Sequence, residues 1–598
     1  MEQKLDKIDI DSVNNLYQLF CARVHRSPNK LAYRYFDPSS QSWKEMTWSD
    51  MADHVARWQN ALGNENLSPG DRVAIMVNNC PEWVMFEQAA LGLGLVVVPL
   101  YTNDRADNVS YIIDDATVKL LFIQDEEQWS ELKSGCLKQS SLEKIISKEA
   151  IPGDDTVVSI ANWLPDHERR FPLAELDVHR SSLATIVYTS GTTGRPKGVM
   201  LSHHNILWNA DAPGHNIAIY DNDVFLSFLP LSHTFERTVG HYLPILCGCV
   251  VAYARSIEHL AEDLINVHPT VLITVPRIFE RVYNKISIQL QAKPAFARFL
   301  FESAVNVGWR RFQYSQGETA WHPSLLLWPL LYLLVGKKIM AKLGGKMRLA
   351  VSGGAPLNAD IARVFIGLGL TISQGYGMTE LSPVVSTNFL EANDPASVGQ
   401  PLHGVKIKLG ENDELCVKSP GIMLGYWNNE KATREIIDED GWLHTGDIAK
   451  ILNDHIYITG RLKEILVLSN GEKVPPADIE MAIAKDTLFE QTMVIGEQKP
   501  YLSALLVLNK DAWKELAASL NVSPAPENLD CEPVKKATLE RVQKQLENFP
   551  GYANIYEIKN ILEPWTVDNG MITPTLKLKR ARIFEHYKND IDAMYEGH

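Results

Sequence analysis

The sequence predicts an α/β protein, with mostly parallel sheets flanked by helices in a large N-terminal part and a smaller unit behind it. Three observations predict this. The chain has 598 residues, too many for one compact core, so at least two domains are expected. Short apolar runs alternate with amphipathic stretches over most of its length, the signature of strand–helix–strand units. Beyond about residue 460 the pattern changes, and residues 481–508 with the polar stretch 521–533 read as part of a separate unit.

The strands are read in order from runs at 72–77, 96–100, 119–123, 184–188, 224–229, 271–275 and 348–351. After the last, Asn358 is placed to cap a helix whose Ile361, Val364, Phe365 and Leu368 share one face, and Gly369 is suited to stop it. The apolar run 244–253 holds Cys247 and Cys249, read as two small buried residues on a strand rather than a ligand pair. Residues 324–335, SLLLWPLLYLLV, precede Gly336, Lys337 and Lys338. That run falls short of the ~20 residues needed to cross a bilayer. It reads first as a buried helix kinked at Pro329, and alternatively as an interfacial segment whose basic edge makes peripheral contact with a membrane surface. Residues 521–533, rich in Pro, Asn and acids, read as an exposed loop.

Hydrophobic residues make up 45% of the chain and charged residues 22%, an ordinary globular balance. A net charge of -15 argues against broad nucleic-acid binding but leaves room for a local basic patch around an anionic ligand. The seven cysteines are scattered, with no CxxC pair and no zinc spacing, so neither a disulfide framework nor a metal finger is indicated. The N-terminal MEQKLDKIDIDSVNN lacks an apolar signal core, and a reducing, cytoplasmic location is the default expectation.

The chemistry is concentrated in a few short stretches. Tyr188-Thr-Ser-Gly-Thr-Thr-Gly-Arg-Pro-Lys-Gly198 follows an apolar run and combines three glycines, hydroxyls and Lys197. Glycines let the backbone approach a phosphate, hydroxyls and amides donate to it, and the lysine adds charge. A Walker A loop is excluded, because Lys197 is followed by Gly198 rather than by Ser or Thr. No GxSxG elbow occurs, which argues against a serine-hydrolase nucleophile. Further along come Ser352-Gly-Gly-Ala-Pro356, Gln374-Gly-Tyr-Gly-Met-Thr-Glu380, Trp442-Leu-His-Thr-Gly-Asp447, Ile458-Thr-Gly-Arg-Leu-Lys-Glu464 and Thr573-Pro-Thr-Leu-Lys-Leu-Lys-Arg580.

In kind and order these stretches resemble the adenylate-forming superfamily of AMP-binding enzymes, over roughly residues 45 to 585. The resemblance implies a domain of residues 1–460 holding the ATP and acyl sites. It also implies a small mobile α+β domain, 461–598, that hinges near 461–463 at Lys463. It assigns the phosphate loop to Thr189, Ser190, Gly191, Thr192, Thr193, Gly194 and Lys197, and the adenine pocket to Gly353, Gly354, Ala355, Pro356, Gln374, Gly375, Tyr376 and Gly377. Thr379 would touch the α-phosphate, Glu380 with Thr189 would hold Mg²⁺, and Asp447 and Arg461 would meet the ribose or phosphate. The catalytic lysine aligns with Lys577. Leu576 departs from the commoner SGK form, leaving Lys579 as the alternative.

The implied reaction is ATP-dependent activation of an acid to acyl-AMP, with pyrophosphate leaving, followed by transfer to CoA. Residues 460–480, the TPTLKLKR ending and Pro230-Leu-Ser-His-Thr-Phe-Glu-Arg237 look like the long-chain fatty acyl-CoA synthetase branch. An alkyl chain gains ~0.8 kcal/mol per buried CH₂, and Phe225, Phe228, Leu229 and Phe235 are candidate walls for it. His233 reads equally as a core histidine or a substrate-side group. The alternatives are a medium-chain or aryl acid CoA ligase, a fatty acyl-AMP or acyl-carrier-protein ligase and a non-catalytic fatty-acid or nucleotide sensor on the same fold. A homodimer is left open.

Overall fold

The computed structural model describes residues 4–134, 141–174, 176–189, 195–547, 549–573 and 577–596. Among them the chain builds two large sheets, a four-stranded antiparallel sheet and a smaller C-terminal unit. One large sheet runs, in spatial order, through Gln400–Pro401, Val384–Thr387, Ile372–Gly377, Leu349–Ser352, Val271–Thr274, Val224–Ser227, Val250–Tyr253, Leu31–Asp37 and Ser42–Thr47. Its interior pairings are parallel and its edges antiparallel. The second runs through Gly425–Tyr426, Lys197–Ser202, Leu183–Thr189, Val96–Pro99, Arg72–Met76, Val118–Ile123, Lys144–Ser147 and Val157–Ser159. Every strand expected from an apolar run is present, with ends moved by one or two residues. Their near-continuous Val, Ile and Leu content follows from burial on both faces.

The helix Ala359–Gly367 forms where its pattern predicts. The Asn358 side chain accepts from the amide of Asp360, and Gly369 takes φ +102°, a left-handed value that favours glycine. Antiparallel strands Lys406–Leu409, Glu414–Lys418, Leu443–Leu452 and His455–Arg461 form the third sheet. Asn453 and Asp454, both at positive φ, close its last hairpin in two residues. The C-terminal unit packs Phe489–Ile495, Leu502–Leu508 and Ile555–Ile561 against the helices Lys510–Ser519 and Glu532–Gln545.

Three expectations are corrected. Cys247 ends a short helix, Leu243–Cys247, and Cys249 lies just before the strand Val250–Tyr253, so neither is on a strand, although both are buried. Residues 521–533 are not wholly loop: Pro526–Asn528 form a 3₁₀ turn and Pro533 lies in the first turn of a helix, where a missing N–H costs nothing. The apolar run is not a buried, kinked helix. Pro323–Lys342 is one helical rod in which Pro329 sits at a switch from 3₁₀ to α, and only 17% of its most apolar window is buried.

Candidate active site

Two adjoining strands set the polar centre of the site. The hairpin places Asp447 directly opposite Arg461, with a bulge after Ile448. Arg461 Nε donates to Asp447 Oδ1 at 2.8 Å, and the Tyr376 hydroxyl donates to Asp447 Oδ2 at 2.5 Å. Burial and the neighbouring carboxylate push the Tyr376 phenol well above its ordinary range. Burial alone would lower the Arg461 pKa, but Asp447 and Glu464 outweigh it and raise it. Tyr376 is flanked by glycines for a steric reason: a Cβ at Gly375 would lie 2.9 Å from the Ser386 carbonyl oxygen, and one at Gly377 only 2.1 Å from that of Pro383.

Just past this strand, Glu380 is buried and its Oε1 accepts the Tyr426 hydroxyl at 2.8 Å. Among the described residues its other oxygen has no hydrogen-bond partner, which suits an oxygen-seeking cation. Thr379 pairs through its hydroxyl with that of Thr234, at 3.3 Å. Lys197 lies over the Tyr426 ring at 5.0 Å, and its register partner across the hairpin is Thr189. Ser190, Gly191, Thr192, Thr193 and Gly194 lie outside the described residues.

Gly353 lies tight against the Phe235 ring, 3.0 Å from a would-be Cβ, and Gly354, Ala355 and Pro356 lie exposed beyond it. The Gln374 side chain is held on two sides. Its amide accepts from the Leu357 backbone at 2.6 Å and donates to the Ser397 carbonyl at 2.8 Å, so it braces this loop.

Lys577 enters from the C-terminal unit. Its side chain keeps contact with solvent, yet protein crowds the ammonium enough that burial, then Arg461, lowers its pKa. Asp447, Glu380 and Glu464 act in the opposite sense, so Lys577 lies within the fields of the whole cluster. Lys579 faces elsewhere, towards Asp104, Arg105 and Asp107. His233 accepts from the Phe235 amide at 3.3 Å, and burial, then Lys577, drops its pKa to about 4. The imidazole is thus neutral beside the site.

Phe225 is fully buried and Phe228 partly so, in neighbouring apolar clusters. Arg237 lies deeper. It pairs with buried Glu87 at 2.6 Å and donates to Thr185 at 2.8 Å, while His241 and Tyr242 complete the carboxylate's shell. Lys463 lies exposed in the 3₁₀ turn Leu462–Glu464.

Several contributors carried no signal of their own in the sequence. Tyr426 sits in an unremarkable Gly-Tyr-Trp. Glu414 holds the strand segment Thr445–Asp447, accepting from the Gly446 amide at 2.9 Å and pairing with His444 at 2.8 Å. Arg580 bonds Glu480 at 2.5 Å and reaches Glu464, tying the lysine-bearing segment to the residues after Arg461.

Comparisons with known proteins identify the family. Residues 20–427 match the family described as AMP-binding enzyme, and residues 463–598 match the AMP-binding enzyme C-terminal domain. The chain is 31% identical to a long-chain-fatty-acid–CoA ligase of Mycobacterium bovis, over 92% of each chain. It is 26% identical to a chloroplastic long-chain-fatty-acid–[acyl-carrier-protein] ligase of Arabidopsis thaliana, over 94% of this chain and 84% of that one. Its fold matches the crystal structure of an anthranilate CoA ligase bound to anthranoyl-AMP at TM-score 0.75, with 19% identity, over 98% of this chain and all of that one. With both family domains matched in order, the chain belongs to the AMP-binding enzyme family and is an AMP-forming acid–thiol ligase.

Proposed function

We propose that this ligase activates a long-chain fatty acid as its acyl-adenylate and passes the acyl group to CoA. The observation that supports the residue roles is that Lys577, from the small C-terminal domain, lies within the electrostatic reach of Glu380 and of the paired Asp447 and Arg461. A carboxylate has no good leaving group, so its oxygen attacks the α-phosphorus of ATP and pyrophosphate departs. The charge gathering on the phosphoryl oxygens needs positioned donors and cations. Lys577, the Thr379 hydroxyl and the 189–197 segment supply them. Asp447 and Arg461 hold the ribose, and Tyr376 offers its ring to adenine. Glu380, with Thr189, is the candidate holder of Mg²⁺, which when bound neutralises phosphate charge. Neutral His233 donates or accepts near the incoming carboxylate without adding a cation.

Transfer to CoA needs a thiol to reach the adenylate after pyrophosphate leaves. In this reading the domains of residues 1–460 and 461–598 turn about Lys463, withdrawing Lys577. The long-chain assignment rests on the mycobacterial relative and on Phe225, Phe228 and Phe235 beside the site. The likeness to the acyl-carrier-protein ligase favours a second reading, in which a protein-borne thiol replaces CoA.

Pyrophosphate release, measured with ATP, Mg²⁺ and a panel of short to long acids with and without CoA, tests the proposal. Turnover that requires CoA and peaks with long acids is expected. Adenylate that accumulates despite CoA would move the acceptor to a carrier protein, and release with none of the fatty acids would overturn the substrate class.

A further inference from the structure

The helical rod Pro323–Lys342 and its neighbour Ala295–Ser315 are held to the body of the enzyme by one face and leave the other bare. The inner contacts are close. A Cβ at Gly308 would lie 1.9 Å from the Gly367 carbonyl oxygen, and one at Gly336 lies 2.9 Å from that of Leu368. The pair is thereby clamped onto the helix that follows the Ser352–Pro356 loop. Leu331, Gly336 and Met340 point inward and are buried. On the outer side Leu326 is 73% exposed, and Leu330 and Leu333 are each 56% exposed, at a spacing that keeps them on one stripe. Phe296, at the start of the neighbouring helix, is 74% exposed, and Phe299 and Trp321 are also exposed. Isolated surface hydrophobics are ordinary, but a contiguous patch of this kind marks an interaction site.

Charge indicates which partner fits. Residues 292–346 carry eight Lys and Arg against two Glu, a net charge of +6, in a chain whose total is -15. All eight basic side chains are exposed, Lys337, Lys338, Lys342 and Lys346 among them at the end of the rod. An anionic lipid surface attracts this patch and repels the rest of the molecule, which sets one orientation. Two copies meeting on the same face would oppose like charges. The buried inner contacts keep the rod from crossing the bilayer, although its length and composition would permit it.

We infer that this helical pair is a monotopic docking face that lays its leucine and aromatic stripe into the surface of an anionic membrane. Its inner side joins the apolar cluster that contains Phe228, where Tyr283, Phe301, Trp309 and Tyr332 also pack. The face that touches lipid is therefore continuous in packing with a candidate wall of the acyl site. Binding is read without acid or nucleotide, so it stands or falls independently of the substrate assignment.

The test is flotation of the full-length enzyme with vesicles of equimolar phosphatidylcholine and phosphatidylglycerol, compared with phosphatidylcholine alone. The wild type is expected to float with the mixed vesicles and more weakly with neutral ones. Leu326→Asp/Leu330→Asp/Leu333→Asp should weaken binding about a hundredfold or more, since each lost leucine removes buried apolar surface. Lys337→Glu/Lys338→Glu should cost at least about tenfold on anionic vesicles only. Both variants change exposed positions and should keep wild-type turnover of a short, water-soluble acid. Wild type that ignores both vesicles, or a triple-leucine variant that floats unchanged, overturns the inference. So does a wild-type dimer in solution that the triple-leucine variant dissolves, since the face then joins two copies.

Discussion

Replacing Arg237 by Met should destabilise the large domain strongly, and the reason lies in its partner. Glu87 is fully buried, and burial by itself would push its carboxyl up. Arg237, His241 and Tyr242 overcome that penalty and bring its pKa down to about 2, from an ordinary 4.5. A difference of 2.5 units corresponds to about 3 kcal/mol of interaction favouring the ionised form. Removing the guanidinium strands the charge, and broken buried pairs typically cost about 3–5 kcal/mol, a large part of a domain's net stability. Arg237→Met/Glu87→Gln removes the stranded charge too and should recover more than half of that loss. The sign with pH follows from the depressed pKa. The wild-type contribution is complete above pH 4.5 and is lost as pH falls through about 2. Urea unfolding read by tryptophan fluorescence is suited to the measurement, because the Arg237 guanidinium lies 5.4 Å over the Trp83 ring. A single variant costing under about 1 kcal/mol, or a double variant no more stable than the single, would refute the argument that the pair compensates a buried charge.

Lys577→Ala should slow adenylate formation by about 10²–10³ while leaving thioester formation from supplied acyl-adenylate nearly intact; stopped-flow measurement of the two half-reactions checks this. Glu380→Gln should raise the Mg²⁺ concentration needed for half-maximal turnover by at least about tenfold, as seen in a Mg²⁺ titration at saturating ATP. His203 is buried with its Nδ1 accepting from the Leu16 amide, and burial, then Arg237, lowers its pKa to about 4. The unfolded chain binds that proton first, so stability should fall by about 2 kcal/mol between pH 7 and pH 5. His203→Gln should flatten that slope in unfolding curves at the two pH values.

The strands were legible because they are buried on both faces and therefore read as unbroken Val, Ile and Leu runs. The helix after Asn358 was legible because cap, stripe and terminal glycine all agree. Of the site, the short Gly-rich stretches are legible where a close approach of backbone dictates their composition, as Gly375 and Gly377 illustrate. What escaped were partners fixed only by tertiary contact. Nothing local marks Tyr426 as the group that steadies Glu380, or Glu414 as the brace of the strand segment before Asp447. Nor does the sequence show that the Gln374 side chain is held by Leu357 and Ser397. The exposed rod looks like core in the sequence because composition alone does not tell an apolar helix that packs inside a protein from one that lies on its surface.

The two-residue turn at Asn453–Asp454 carries a practical consequence for recombination between relatives. Because side chains alternate across a strand, slipping this hairpin by a single position would swing Asp447 or Arg461 to the opposite face. The stretch from 443 to 461 is thus inherited or exchanged as a block. Chimeras spliced on either side of it should keep the Asp447–Arg461 pair, whereas an insertion or deletion within either arm should leave a folded sheet in which the two side chains no longer meet.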